Sequence, residues 1–118
     1  MLLMNITLKI TPAEYLKLGL MLQSVANETK WRIQNKVIHS KVEYLVIFEF
    51  MQTFNYNKFD FKDGNKTYNF SMKISTALAI LNYIMDEVFL DYHMIEERSI
   101  TDKLNRQVLN FGISFHEN

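Results

Sequence analysis

The chain has 118 residues, 48% of them hydrophobic and 14% aromatic, enough for a single domain with a core of its own. It contains no cysteine, which excludes disulfide scaffolds, thiolate metal sites, iron–sulfur ligation and cysteine nucleophiles. Thirteen basic and thirteen acidic residues give a formal net charge of zero, which argues against a general polyanion binder.

The charge is unevenly spread. Residues 30–73 carry eight basic and four acidic side chains, whereas residues 74–118 carry three and seven. Such a dipolar chain favours oriented or self-complementary association. The first residues, MLLMNITLK, lack the basic stretch and long apolar run of a signal peptide, and the apolar segment 77–92 is broken by Asn82, Asp86, Glu87 and Asp91. A cytoplasmic protein with no membrane segment is the expectation.

In chain order, residues 4–10 alternate Met4, Ile6, Leu8 and Ile10 against Asn5, Thr7 and Lys9, the pattern of a half-buried strand. Thr11, Pro12 and Glu14 then open a helix, Thr11 as cap and Glu14 completing a capping box. Tyr15, Leu18, Leu22 and Val25 are its inner stripe, widened by Leu16 and Leu20, and helix is expected to resume over about 30–39. Residues 42–50 set Val42, Tyr44, Val46, Phe48 and Phe50 against Glu43, Leu45, Ile47 and Glu49, which predicts a second strand. A helix is the competing reading, because Ile33, Val37, Tyr44, Phe48 and Met51 also fit a helical stripe.

Asp63, Gly64 and Asn65 form a turn leading into a third strand, with Tyr68, Phe70, Met72 and Ile74 inward. Ser75 stands where a second helix would be capped, and Leu78, Leu81, Ile84, Met85, Val88, Phe89 and Tyr92 supply its buried face. Residues 94–107 read as helix and loop anchored by Ile100 and Leu104. A fourth strand is predicted where Leu109, Phe111, Ile113 and Phe115 alternate with Asn110, Gly112 and Ser114.

Two of these stretches read alike. NITLKITPAEYLKLGLM from Asn5 and NFSMKISTALAILNYIM from Asn69 align without a gap at an offset of 64 residues. Asn5/Asn69, Lys9/Lys73, Ile10/Ile74, Ala13/Ala77 and Met21/Met85 are identical, and Thr7/Ser71 and Thr11/Ser75 keep their hydroxyls. A strand-into-helix unit written twice, in halves of about 1–60 and 61–118, predicts a ferredoxin-like α+β fold of order βαββαβ. Its four-stranded antiparallel sheet would carry two main helices on one face. The alternative is a helix-rich α+β protein with a long helix over about 30–55 and a smaller sheet.

No motif dictates a chemistry. His39, His93 and His116 are scattered, and His93 beside Glu96 and Glu97 reads as a solvated acidic helix end rather than a metal site. There is no nucleophile elbow, and the three glycines are unclustered, so no phosphate-cradling loop is present. No catalytic residue, metal or cofactor is assigned, and the protein is read as a non-enzyme.

Two basic regions remain as binding candidates. Lys58, Lys62 and Lys66 interleave with Tyr56 and other aromatics, a composition suited to single-stranded RNA. Against this, Tyr68 and Phe70 share parity with the core-facing residues of their strand. Trp31, Arg32, Lys36 and Lys41 form the second region, and Lys9 and Lys73 occupy pseudo-equivalent places on the open sheet face. The primary expectation is a small regulatory protein that contacts another protein through Trp31, Arg32, Lys36, Lys41, Lys9 and Lys73, with homodimerisation across a two-fold as a further option. By analogy with small domains from AT-rich genomes, an accessory protein of a phage or mobile element that inhibits a larger host complex is a concrete form of it. RNA binding through Lys58, Lys62, Lys66 and Tyr56 is the runner-up.

Overall fold

The computed structural model describes residues 4–37, 41–59, 66–87 and 95–110. Among them the elements are β1 (Asn5–Ile10), α1 (Pro12–Gln34), α2 (Val42–Gln52), β2 (Tyr68–Lys73), α3 (Ile74–Glu87) and α4 (Ile95–Asn110). The described sheet has two antiparallel strands. This overturns the ferredoxin-like expectation of four strands, and the helix-rich alternative fits better.

The first strand and helix follow the sequence pattern. Ile6, Leu8 and Ile10 are buried while Asn5, Thr7 and Lys9 are exposed. At the start of α1, the Glu14 amide donates to the Thr11 hydroxyl (3.2 Å) and the Thr11 amide to the Glu14 carboxylate (2.8 Å), a reciprocal capping box. Helix α1 continues past Asn27 without a pause. It ends in a Schellman turn, with Lys36 in the left-handed region (φ 56°), the Lys36 amide bonded to the Ile33 carbonyl and the Val37 amide to the Arg32 carbonyl. That turn is why no single helix spans 30–55.

The predicted second strand is helix α2. Its supposed polar face includes Leu45 and Ile47, so two-residue alternation leaves apolar side chains on both faces. A helix packed between α1 and α3 accommodates them better: Ile47 and Met51 are buried, and Tyr44, Val46, Phe48 and Phe50 pack half-buried against the core. The predicted fourth strand is also corrected where it is described, because Leu109 and Asn110 belong to α4. Ile100, Leu104 and Val108 recur every four residues and are all buried, so the helical stripe carries the chain through to Asn110. Residues 111–115 lie outside the described residues, as do the 63–65 turn and Val88, Phe89 and Tyr92.

The repeat survives as a local two-fold in the strand pair. Thr7 faces Ser71 across the sheet, Asn5 faces Lys73 and Lys9 faces Asn69, so each residue opposes the repeat counterpart of its mirror position. Thr7 and Ser71, themselves counterparts, share a hydroxyl hydrogen bond of 2.8 Å on the axis. Ser75 does not repeat the cap of Thr11; β2 runs straight into α3 at Ile74. Leu81 and Ile84 are buried as the pattern implies, Leu78 is half-buried, and Met85 and Leu20 are exposed. The core joins both strands to all four helices, and no helix among the described residues is long and apolar enough to cross a membrane.

Candidate interaction surfaces

The segment after α2 folds back over α1 and builds an aromatic layer. The Phe54 ring stacks on Tyr15 with centroids 4.5 Å apart, and Phe59 and Phe70 meet Tyr15 edge-on at 4.8 and 5.2 Å. Tyr15 donates its hydroxyl to the Asn55 carbonyl (2.9 Å), and burial raises its pKa above the ordinary phenol value. Tyr56 donates to the Gln23 side chain (2.7 Å), lies 3.2 Å from the Gly19 carbonyl, and packs edge-on against Phe54 at 4.9 Å. Gly19 makes this close approach feasible, because a Cβ there would sit 2.5 Å from the Phe54 ring and 2.7 Å from Tyr56.

The aromatic and lysine residues singled out for RNA are therefore largely engaged with one another. Phe59 stacks on Tyr68 at 4.5 Å. Lys66 lies over Tyr68 at 5.1 Å, and Lys58 over Phe70 at 5.1 Å and Phe59 at 5.8 Å. Tyr56 is tied to α1, and Lys62 lies outside the described residues. Single-strand binders hold bases on free ring faces; here those faces pack on rings and ammonium groups of the same chain.

Trp31 and Arg32 lie in the last turn of α1, Lys36 in the turn that ends it, and Lys41 directly before α2. Trp31 is 56% exposed, and Ile33, Val37 and Val42 close by in the chain are exposed as well. Arg32 forms an ion pair with Glu28 one turn earlier (3.1 Å), Lys36 occupies the helix-ending turn, and Lys41 lies 5.4 Å from the Tyr44 ring centre. Lys9 and Lys73 are both exposed on the outer sheet face but point to opposite ends of the pair. They do not join the Trp31 surface.

Lys73 instead borders a cavity of about 670 Å³ that sequence reasoning missed. One wall is Ser71, Met72 and Lys73 of β2, the other Glu49 and Phe50 of α2 with Thr53 just past its end, and Tyr15, Phe54, Lys58 and Phe70 also line it. No β1 residue reaches it, so it runs along the edge of β2 that β1 does not pair with. Its lining mixes residues from separate segments of chain, and only the fold brings Lys58 and Lys73 to one groove.

A second polar feature, buried rather than exposed, involves Glu14. This residue is 5% exposed, and its carboxylate binds Lys103 Nζ through both oxygens (2.8 and 2.9 Å) while also accepting from the Ser99 hydroxyl. Lys103 further donates to the Lys9 carbonyl at 2.7 Å. Burial by itself would raise the Glu14 pKa, but the bonds from Lys103, Ser99 and the Thr11 amide outweigh it and hold the carboxyl below its ordinary value. The cluster ties β1, α1 and α4 together, and every polar group in it is matched, as in a structural junction. His39, His93 and His116 lie outside the described residues, and no three acidic or histidine side chains gather as a cation site among the described ones.

No family model matches this chain, and no curated protein or solved structure does either.

Proposed function

We propose that this chain is a small, non-enzymatic cytoplasmic binding protein that works through surface contact with another protein, acting as a regulator by covering part of a larger complex. The observation that carries the reading is the exposure of its only tryptophan, Trp31, at the end of α1. Tryptophan is strongly represented among residues that dominate binding energy, because a large rigid ring gains much from losing water and little entropy is lost in fixing it. Arg32, paired with Glu28, follows it in the last turn of α1, and Lys36 stands in the helix-ending turn beyond. A partner presenting an apolar pocket bordered by carboxylates fits that arrangement.

The test separates binding from folding. Trp31→Ala is expected to change the unfolding free energy by less than about 0.5 kcal/mol, as for an exposed side chain without a structural role. Cross-linking and mass spectrometry on cells carrying the intact protein should identify a partner whose recovery fails with Trp31→Ala and persists with Lys58→Glu on another face. A loss of stability of about 2 kcal/mol or more on Trp31→Ala would return the residue to the core and remove the basis of the reading.

A further inference from the structure

The hydrogen-bond phase of the strand pair settles which backbone groups face outward. The Ile74 amide donates to the Met4 carbonyl at 2.8 Å, in register with the Ile6–Met72, Leu8–Phe70 and Ile10–Tyr68 pairs. Alternate pairs in an antiparallel ladder exchange main-chain bonds, so residues 68, 70, 72 and 74 direct their amides and carbonyls toward β1. Asn69, Ser71 and Lys73 direct theirs away from it. The same logic on β1 turns Asn5, Thr7 and Lys9 outward, and the Lys9 carbonyl is indeed met there by Lys103 of α4.

Along β2 nothing comparable occurs among the described residues. The outward edge at Ser71 and Lys73 opens on the cavity whose far wall is α2. Bare strand edges are templates for another strand, and natural sheets cover, charge or shorten them. This edge borders a trough whose floor includes the rings of Phe50, Phe54 and Phe70, with Glu49, Thr53 and Thr76 among its polar lining and the ammonium groups of Lys58 and Lys73 beside it. An added strand would alternate its side chains, one set toward the trough and the other beside Lys73 on the outer face.

We propose that the edge of β2 left unpaired among the described residues is a docking site for an extended acidic segment of a partner protein, which adds to the sheet as a third strand. Its apolar side chains enter the trough against Phe50, Phe54 and Phe70. Carboxylates on its alternate positions meet Lys73 on the outer face, Lys58 lies at the trough over Phe70, and main-chain bonds to Asn69, Ser71 and Lys73 set the register. The charge argues for this occupant: the groove sets the ammonium groups of Lys58 and Lys73 against the single carboxylate of Glu49, in a segment, residues 30–73, with twice as many basic as acidic residues. The site is separate from the Trp31 surface, and the two stand or fall independently.

The experiment uses the full chain and a set of fluorescein-labelled octapeptides alternating valine, isoleucine or phenylalanine with glutamate. At least one should bind with a Kd below about 1 mM, and Lys73→Glu should weaken it about tenfold. Methylating the peptide amides on one alternate set should abolish binding while methylating the other set leaves it intact, the signature of main-chain pairing along one edge. Ser71→Pro removes an outward amide without touching a main-chain bond to β1 and should also abolish binding; Trp31→Ala should not. Because Ser71→Pro also alters the backbone, the methylated peptides test the proposal on the unaltered protein. No binding by any octapeptide, or equal binding by both methylated sets, overturns strand addition. A concentration-dependent dimer that Ser71→Pro dissolves would assign the edge to a second copy of the chain, and a single-stranded RNA that competes through Lys58 and Lys73 would assign the groove to nucleic acid; either overturns it.

Discussion

The two copies of the repeated segment make equivalent strands and then diverge at the point where each becomes a helix. In the first copy Glu14 completes a capping box with Thr11 and reaches Lys103, which in turn covers the outward carbonyl of Lys9. The second copy has Leu78 at the place of Glu14, no capping box forms, and helix begins at Ile74 with the β2 edge left open on a cavity. One strand of a locally two-fold pair is thus sealed by α4, while no described residue pairs with the other's outer edge. Local sequence similarity reproduces the strand; partners distant in sequence decide what its edge is for.

Removing the seal should have the largest effect. Glu14→Gln deprives a buried ion pair of its anion and is expected to cost about 3 kcal/mol in denaturant unfolding, the lower end for a buried pair because Lys103 keeps some contact with water. The wild-type protein should show the matching acid dependence. Because the Glu14 pKa is lowered in the fold, its contribution is fully present above the ordinary carboxyl value near 4.5 and declines as pH falls below it through the folded value. Between about pH 5 and pH 3 the stability curve of Glu14→Gln should be flatter than that of wild type. Parallel curves would mean that the junction contributes no proton-linked stability.

A second contrast between the copies lies at Gly19, whose counterpart is Tyr83. Tyr83 meets Tyr44 edge-on at 5.9 Å, whereas Gly19 leaves room for Phe54 and Tyr56 to lie on the helix backbone. Alanine is normally better than glycine inside a helix by about 1 kcal/mol, so Gly19→Ala would stabilise a bare helix. Here the added methyl collides with two rings held by the Tyr15 stack and the Gln23 hydrogen bond. Overpacking should win, with a net loss of about 1–2 kcal/mol and a weaker near-ultraviolet aromatic signal. A gain in stability would show that the aromatic layer yields easily and that Gly19 is not what admits it.

What was legible in the sequence divides along the same line. The capping box at Thr11 and Glu14, the buried stripe of Tyr15, Leu18, Leu22 and Val25, and the inward Ile6, Leu8, Ile10, Phe70 and Met72 follow from periods set by a few neighbours, whereas Met4 is exposed and Ile74 begins α3. Residues 42–50 were misread because β-branched and aromatic content reports a half-buried surface rather than a backbone state, and α2 is buried on two sides by helices the pattern cannot see. Leu109 suits a strand by alternation, but Leu104 and Val108 hold it in α4. The groove has no sequence trace: Lys58 and Lys73 are 15 residues apart, and no local pattern links them. Gly19, alone inside a strong helical pattern, was the one available hint that something large packs there.

The smallest expected effect concerns the axis itself. The Thr7–Ser71 hydrogen bond is exposed and sits at a pair that exchanges no main-chain bonds, where side chains approach most closely. Such a cross-strand pair contributes about 0.5 kcal/mol, since both hydroxyls would otherwise bond to water. Thr7→Val keeps the β-branched shape and Ser71→Ala keeps the strand, so each should lose roughly that amount. The double variant should lose little more than either alone, because the second change removes a bond already broken. Additive losses would mean that the two hydroxyls act separately and that the local two-fold is a consequence of the repeat without being a fastening. A coupling well above about 1 kcal/mol would instead make the hydroxyl pair a determinant of register, and with it of which backbone groups β2 turns toward its open edge.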